Sequence, residues 1–248
     1  MDEFTGKVVL VTGAGRGLGR KAAIAFSAVG GYVAANDINP LSLDETVNQV
    51  IQNGGIARPY VFDIAKRMPI EGMIAQVLDH FGRIDILINH AAVAPDASIL
   101  EMDEWEFHRT LDVNLGGPFF TMQQVGRVMR QQGGGVIVNL ISTGWKGEAD
   151  QGRSACSASQ AGLIGLTQAA AAELSRWNIR ANIVGNGPAI PGLAAQQTWD
   201  VAAYRRWLSG MPEISQMPIT GSLSLVIYLC SVAASSINGQ VIWHGLDN

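Results

Sequence analysis

Long apolar runs are missing from this 248-residue chain. Its apolar segments are of strand length or are broken by glycine, which excludes a helix spanning a bilayer. Cysteine is nearly absent: Cys156 and Cys230 stand far apart in sequence, so no disulfide framework is expected and a reducing compartment fits. Charge is scarce too, at 15% of residues with a net charge of -4 and no run of one sign. Neither nucleic acid nor an anionic membrane is expected as a partner. The four histidines, His80, His90, His108 and His244, lack the spacing of a metal site, and no metal is expected. No apolar signal segment follows the acidic start Met1–Gly6, which makes a cytoplasmic location the expectation. Internal repeats and composition breaks are also absent, so residues 1–248 are read as one domain.

What is present is apolar residue (48%) and glycine (29 residues), enough for a large core with tight turns. Strand-like runs alternate with amphipathic helical stretches. Strands are predicted at Lys7–Val11, Tyr32–Asn36, Ile56–Phe62, Asp85–Asn89, Val136–Leu140, Ile179–Val184 and Gln240–Trp243. Helices are predicted from Gly17 to Val29, from Leu41 to Asn53 and up to Phe81. Two long ones follow, from Glu104 to Gln131 behind a capping box of Asp103 and Glu106, and from Ser157 to Arg176. Strict alternation implies an α/β fold of the doubly wound Rossmann type, a mostly parallel seven-stranded sheet with helices on both faces. Val- and Ile-rich strands with little polar alternation agree with burial on both sides.

The segment Thr12-Gly13-Ala14-Gly15-Arg16-Gly17-Leu18-Gly19 follows the first strand and opens a helix. Glycines there let the backbone approach a pyrophosphate, and the helix N-terminus offers free N–H groups and a favourable dipole. The second strand leads to Asp37, near the spacing of a ribose-binding acid. A carboxylate accepts from both ribose hydroxyls and repels a 2′-phosphate, which favours NAD(H) over NADP(H). Arg16 argues the other way, because it could reach a 2′-phosphate.

These glycines, Asp63-Ile64, Asn89-His90-Ala91-Ala92, Asp112-Val113-Asn114-Leu115 and Val136–Ser142 occur in an order that resembles the short-chain dehydrogenase/reductase family. Ser157–Ser159, Ala161–Leu163, Asn182, Gly187, Pro188 and Ser235–Val241 extend the resemblance over residues 4 to 243. It implies hydride transfer between nicotinamide and a carbonyl or alcohol of a small-molecule substrate. Gly13, Gly15, Arg16, Gly17, Leu18, Gly19, Asp37, Asp63, Ile64, Asn89 and Ala91 would contact the cofactor, with Gly187, Pro188 and Ile190 beside the nicotinamide. Ser142 would position the substrate oxygen, and Asn114 would hold a proton-relay water. The resemblance also implies a homo-oligomer, a tetramer, paired through the two long helices.

The family's Tyr and Lys, four residues apart on one helix face, do not match. Cys156 stands at the Tyr position and Gln160 at the Lys position. Gln160 can donate to a ribose hydroxyl but cannot lower a neighbour's pKa by charge. Cys156 is too short for the reach of a phenol, and losing general acid–base transfer costs about two to four decades of rate. As a nucleophile it would need a cationic neighbour, for which Arg153 is the one candidate; as a small residue it simply fills space. His90, Lys146 and Tyr204 are the other candidates for the proton-transfer role. Asn186 replaces a Pro of the family pattern, Pro191 and Gly192 stand where a cofactor-binding Thr is usual, and the tail from His244 also departs. Residues 193–217, with Trp199, Tyr204, Trp207, Met211 and Met217, match the substrate loop and read equally as a lid or as a helix pair packed on the core. Arg205 and Arg206 there face either an anionic substrate or solvent. Three functions stay open: an oxidoreductase with an altered site, a non-catalytic NAD(H)-binding sensor, or an assembly subunit for an active relative.

Overall fold

A computed structural model describes residues 3–142, 152–186, 200–210 and 221–244. Strands β1 (Val8–Thr12), β2 (Tyr32–Asp37), β3 (Ile56–Val61), β4 (Ile86–Asn89), β5 (Gly135–Ser142), β6 (Ile179–Asn186) and β7 (Val241–His244) form one sheet. Its order is β3-β2-β1-β4-β5-β6-β7 and every pairing is parallel. Val9 lies between Val33 and Ile86, so β1 is the strand from which the order runs both ways. This is a single-domain Rossmann-type α/β fold, as the alternation of elements predicts.

The helices are α1 (Gly17–Ala28), α2 (Pro40–Gln52), α3 (Arg67–Phe81), α4 (Glu104–Leu111), α5 (Gly117–Gln132), α6 (Ser154–Leu174), α7 (Val201–Ser209) and α8 (Gly221–Cys230). Alternate strand residues face opposite layers. Val9, Val11, Val33, Ala35 and Ile88 pack with Phe26, Leu43 and Val226 from α1, α2 and α8. Val8, Leu10, Ala34, Leu87 and Ile137 pack with Met73, Val77, Val125 and Met129 from α3 and α5. Both faces being dry explains why the strands read as continuous apolar runs. The edge strand β3 is the exception: only Ala57 and Tyr60 are buried, and Pro59 is tolerated because one side of that strand has no ladder partner.

Several boundaries differ from the sequence reading. The single helix expected over 104–131 is helical throughout, but widens to a π turn at Asp112–Gly116 between α4 and α5. Asp103 caps α4 by accepting from the Glu106 N–H at 2.7 Å. The later long helix starts earlier than expected, at Ser154. Strands β5 and β6 run on to Ser142 and Asn186 because they pair with each other to their ends. Helix α8 is absent from the sequence reading altogether. Leu223, Leu225, Val226, Ile227, Tyr228 and Leu229 are all buried, so no polar stripe marks its period.

A buried polar chain ties the middle of the sheet to two helices. Asn89 Nδ2 donates to Asn139 Oδ1 at 2.8 Å, Thr121 Oγ1 donates to Asn89 Oδ1 at 2.8 Å, and Asn139 Nδ2 donates to Thr167 Oγ1 at 2.7 Å. These groups are fully enclosed, so each depends on the others for its hydrogen bonds. Asn139→Ala would strand the Asn89 amide and is expected to cost about 1–3 kcal/mol of stability. Urea denaturation checks this; an unchanged midpoint would contradict the account.

Candidate active site

The strand order reverses between β1 and β4, and the crevice at their carboxyl ends is where such a sheet leaves room for a ligand. A cleft of about 500 Å³ opens there, bordered by Gly13, Arg16, Asp37, Asp63, His90 and Arg109 among others.

The glycine-rich turn is fixed by close backbone contacts. A Cβ on Gly13 would lie 2.7 Å from the Ala91 Cα, and one on Gly19 would lie 2.2 Å from the Gly13 carbonyl oxygen. Gly13 and Gly17 hold φ of 67° and 58°. Around Gly17, by contrast, there is space: an added Cβ would come no nearer than 3.9 Å to the His90 ring. Arg16 gives α1 no side-chain cap, so the first-turn N–H groups are open to an anionic ligand. The glycine turn, the open helix start and an acid on the next strand together fit a dinucleotide.

Asp37 ends β2 beside this turn. Its Oδ2 accepts from the Gly15 N–H at 2.9 Å and its Oδ1 from the Asn39 N–H at 3.0 Å. A Cβ on Gly15 would sit 2.8 Å from Oδ2, so glycine is what lets the carboxylate come so close. Arg20 braces the same turn from α1: Nε donates to the Gly15 carbonyl at 2.9 Å, and Nη2 reaches the Ser42 carbonyl at 3.1 Å and Glu45 at 2.8 Å. Arg20 is not legible as a site residue, because its partners come together only when α1 and α2 pack.

Arg16, Leu18, Asp37, Asp63, Ile64 and Ala91 all border the cleft. Asn89 does not; its side chain is committed to the interior chain with Asn139 and Thr121. His90 is half-buried under the glycine turn with Nδ1 3.1 Å from the Gly13 carbonyl. Burial pushes its pKa down, and Arg16 adds to this, against the Gly13 carbonyl and the Asp37 charge. The neutral ring therefore donates from Nδ1 to that carbonyl, a turn-holding role. Arg109 is a cleft residue that the sequence does not signal; it pairs with Asp63 across 46 residues.

The region around Asn114 and Cys156 is arranged differently. Asn114 sits in the π turn, with Oδ1 accepting from the Val93 N–H at 2.8 Å. Its Nδ2 donates to the Val93 carbonyl at 2.9 Å and to Ser159 Oγ at 3.2 Å, so both amide hydrogens are in use. Cys156 is buried and donates from Sγ to the same Val93 carbonyl at 3.4 Å. Gln160 lies one turn further along α6. Tyr204 is directed elsewhere: its hydroxyl pairs with Ser224 at 2.7 Å, and its ring and that of Trp207 pack on Tyr228 of α8. Arg206 pairs with Asp200 at 3.5 Å and Arg205 is exposed. Asn186 borders the cleft and accepts from Ser222. The side chain of Ser142, and Lys146, Gly187, Pro188, Ile190, Pro191, Gly192, Trp199, Met211 and Met217, lie outside the described residues.

Burial pushes the Cys156 thiol above its ordinary range, and the charge of Arg153 offsets this only in part. The thiolate fraction at neutral pH is therefore smaller than that of a free cysteine. Iodoacetamide labelling of the Cys156 peptide, followed by mass spectrometry, is expected to be slow at pH 7.5. It should rise only at a pH above that of a free thiol; rapid labelling at pH 7 would contradict the assignment. Cys230, buried and pushed up to about 12, should not label in the folded protein.

Comparison with known proteins agrees with this architecture. Residues 7–200 match the family described as short chain dehydrogenase. The chain is 36% identical over 250 residues, 96% of its length and 94% of the relative's, to the (2S)-[(R)-hydroxy(phenyl)methyl]succinyl-CoA dehydrogenase subunit BbsD of Thauera aromatica. It is 34% identical, across 98% of its length and 96% of the relative's, to a 3-oxoacyl-[acyl-carrier-protein] reductase of Thermotoga maritima. The structure of NAD+-bound xylitol dehydrogenase superposes with a TM-score of 0.78 at 29% identity, over 97% of this chain and 98% of that one. The chain belongs to the short-chain dehydrogenase/reductase family.

Proposed function

We propose that this protein binds NAD(H) in preference to NADP(H), and that its carbonyl–alcohol chemistry is impaired because Cys156 and Gln160 replace the family's proton-transfer pair. Bound in the cleft, NAD(H) would supply or accept the hydride. The glycine turn and the start of α1 would hold the pyrophosphate, with Asp37 on the adenosine ribose. A carboxylate at position 37 braced by two N–H groups disfavours a 2′-phosphate at that place. A solved relative is described as NAD+-bound, which agrees with this choice.

The observation that carries the impaired-chemistry reading is the Cys156 thiol, buried and donating to the Val93 carbonyl. Proton transfer needs a group within hydrogen-bond reach of the substrate oxygen, or one water away. A sulfur held against the Val93 carbonyl, with its pKa raised, does not meet that need. Asn114 adds to this, since both its amide hydrogens are engaged within the protein.

The second reading is a non-catalytic partner of an active relative. Its support is the Thauera relative, whose name describes it as a subunit of a dehydrogenase. Trp105 and Phe107 on α4 and Phe119 on α5 are exposed apolar side chains suited to pairing with another copy or a relative. We take the assembly of this chain alone to be a tetramer in the cytoplasm.

Calorimetry should give a Kd for NADH at least about tenfold below that for NADPH, with the gap closing in Asp37→Ser. Equal affinity in the wild type would remove the preference, and absence of binding would remove the cofactor reading. Cys156→Tyr with Gln160→Lys should raise carbonyl reductase activity over a broad substrate panel by about two decades or more, while either change alone does little. Ordinary turnover by the wild type, unaffected by Cys156→Ala, would show that another residue moves the proton. Light scattering should report an oligomer at micromolar concentration; a stable monomer would contradict the tetramer.

A further inference from the structure

The end of the cleft away from Asp37 is lined by Leu18, Val93, Leu140, Ile141 and Asn186. Asp37 is the last residue of β2 and Asn186 the last of β6, four strands further along the sheet. A ligand laid from one to the other crosses the point where the strand order reverses. Asn186 has a fixed base. It pairs in register with Ser142 on one side and with His244 on the other, so the tip of β6 is held from both edges. The His244 ring lies against Gly221, where an added Cβ would run into the imidazole. Glycine there lets the start of α8 come down on the strand ends, and the next residue, Ser222, reaches Asn186. Ser222 is buried and donates from Oγ to Asn186 Oδ1 at 3.0 Å. The amide nitrogen of Asn186 carries two donors. Among the described residues nothing accepts from them, and Asn186 is exposed where it borders the cleft.

We infer that Asn186 is a binding residue for the nicotinamide carboxamide: Ser222 holds its amide oxygen, and its amide nitrogen donates to the carboxamide oxygen of the ligand. The inference rests on the NAD(H) reading and deepens it. The family pattern has a proline at this place, which carries no side-chain donor, so the contact is one that this chain adds. The surroundings suit a planar ring with one polar handle. Leu18, Val93, Leu140 and Ile141 offer apolar surface, and a hydrogen bond made beside such surface is stronger than one made in water. The Ser222 hydroxyl sets which end of the amide meets the ligand. Without it the amide would be free to turn and present its oxygen, which accepts from an amine and repels a carbonyl.

The test is calorimetric binding to the intact protein, without turnover, of NADH, its thionicotinamide analogue, its 3-acetylpyridine analogue (reduced) and ADP-ribose. The thio analogue replaces the carboxamide oxygen by sulfur, a weaker acceptor. The acetylpyridine analogue keeps the oxygen and loses the amine, and ADP-ribose lacks the ring. The wild type should bind NADH about fivefold more tightly than the thio analogue, the scale of one neutral hydrogen bond, and should bind the acetylpyridine analogue as it binds NADH. Asn186→Ala should weaken NADH by the same factor, bring the ratio close to one and leave ADP-ribose unchanged. Asn186→Asp has the same shape and still accepts from Ser222 but presents an oxygen, so it should also lose the preference; it carries the comparison should Asn186→Ala not fold. Ser222→Ala should retain part of the ratio. A purely structural role would weaken NADH and ADP-ribose equally in Asn186→Ala, and that result overturns the inference while the NAD(H) reading stands. A wild type that does not distinguish NADH from the thio analogue overturns it, as does one that discriminates only against the acetylpyridine analogue. If the wild type binds neither NADH nor ADP-ribose, the cofactor reading fails and the inference falls with it.

Discussion

The cleft depends on how closely two backbones meet. The turn after β1 and the loop after β4 touch where Gly13 faces Ala91, at a separation that leaves no room for a side chain. From that contact the rest follows. Thr12 Oγ1 accepts from the His90 and Ala91 N–H groups, which locks the β4 loop to β1. The His90 ring then closes on the Gly13 carbonyl, and the Gly15 N–H turns to Asp37. A larger residue at Gly13 would have to push rigid backbone rather than a flexible side-chain tip, so the contact is not adjustable.

The two ends of the cleft are built from different kinds of interaction. At the nucleotide end, charges are held by fixed donors: Asp37 by backbone N–H groups, Asp63 by Arg109 and Ala65. Such groups are held pointing one way, which suits recognition. At the other end, Val93 gathers the polar groups. Its N–H and carbonyl bond to Asn114, and its carbonyl also accepts from Cys156. These bonds pin the β4 loop between the π turn and α6. They hold the hydrogen-bonding groups of Asn114 and Cys156 on protein partners.

Legibility in the sequence followed the range of the interaction. All seven strands and their mostly parallel pairing were readable, because burial on both faces leaves Val- and Ile-rich runs between amphipathic helices; their order in the sheet was not. The glycine turn and Asp37 were readable from spacing along a short segment. Helix α8 was not, since a helix buried all round has no polar face to set its period. The π turn at Asp112–Gly116 was not, because one extra residue per turn changes hydrogen bonding without changing composition. Asn89 had the composition of a ligand-contacting residue, yet its amide is turned to Asn139 and Thr121, a choice made by neighbours on β5 and α5.

The sequence by itself determined the layers of the fold, the glycine-lined approach to a dinucleotide and the residue types at positions 156 and 160. These are properties of local pattern and of single side chains. Only the tertiary structure decided that Arg109 reaches Asp63, that Arg20 braces Gly15 and that Cys156 spends its proton on Val93. Each of those contacts joins residues from different elements, and side-chain partners across such separations are set by how helices and loops pack on the sheet, which no local pattern encodes.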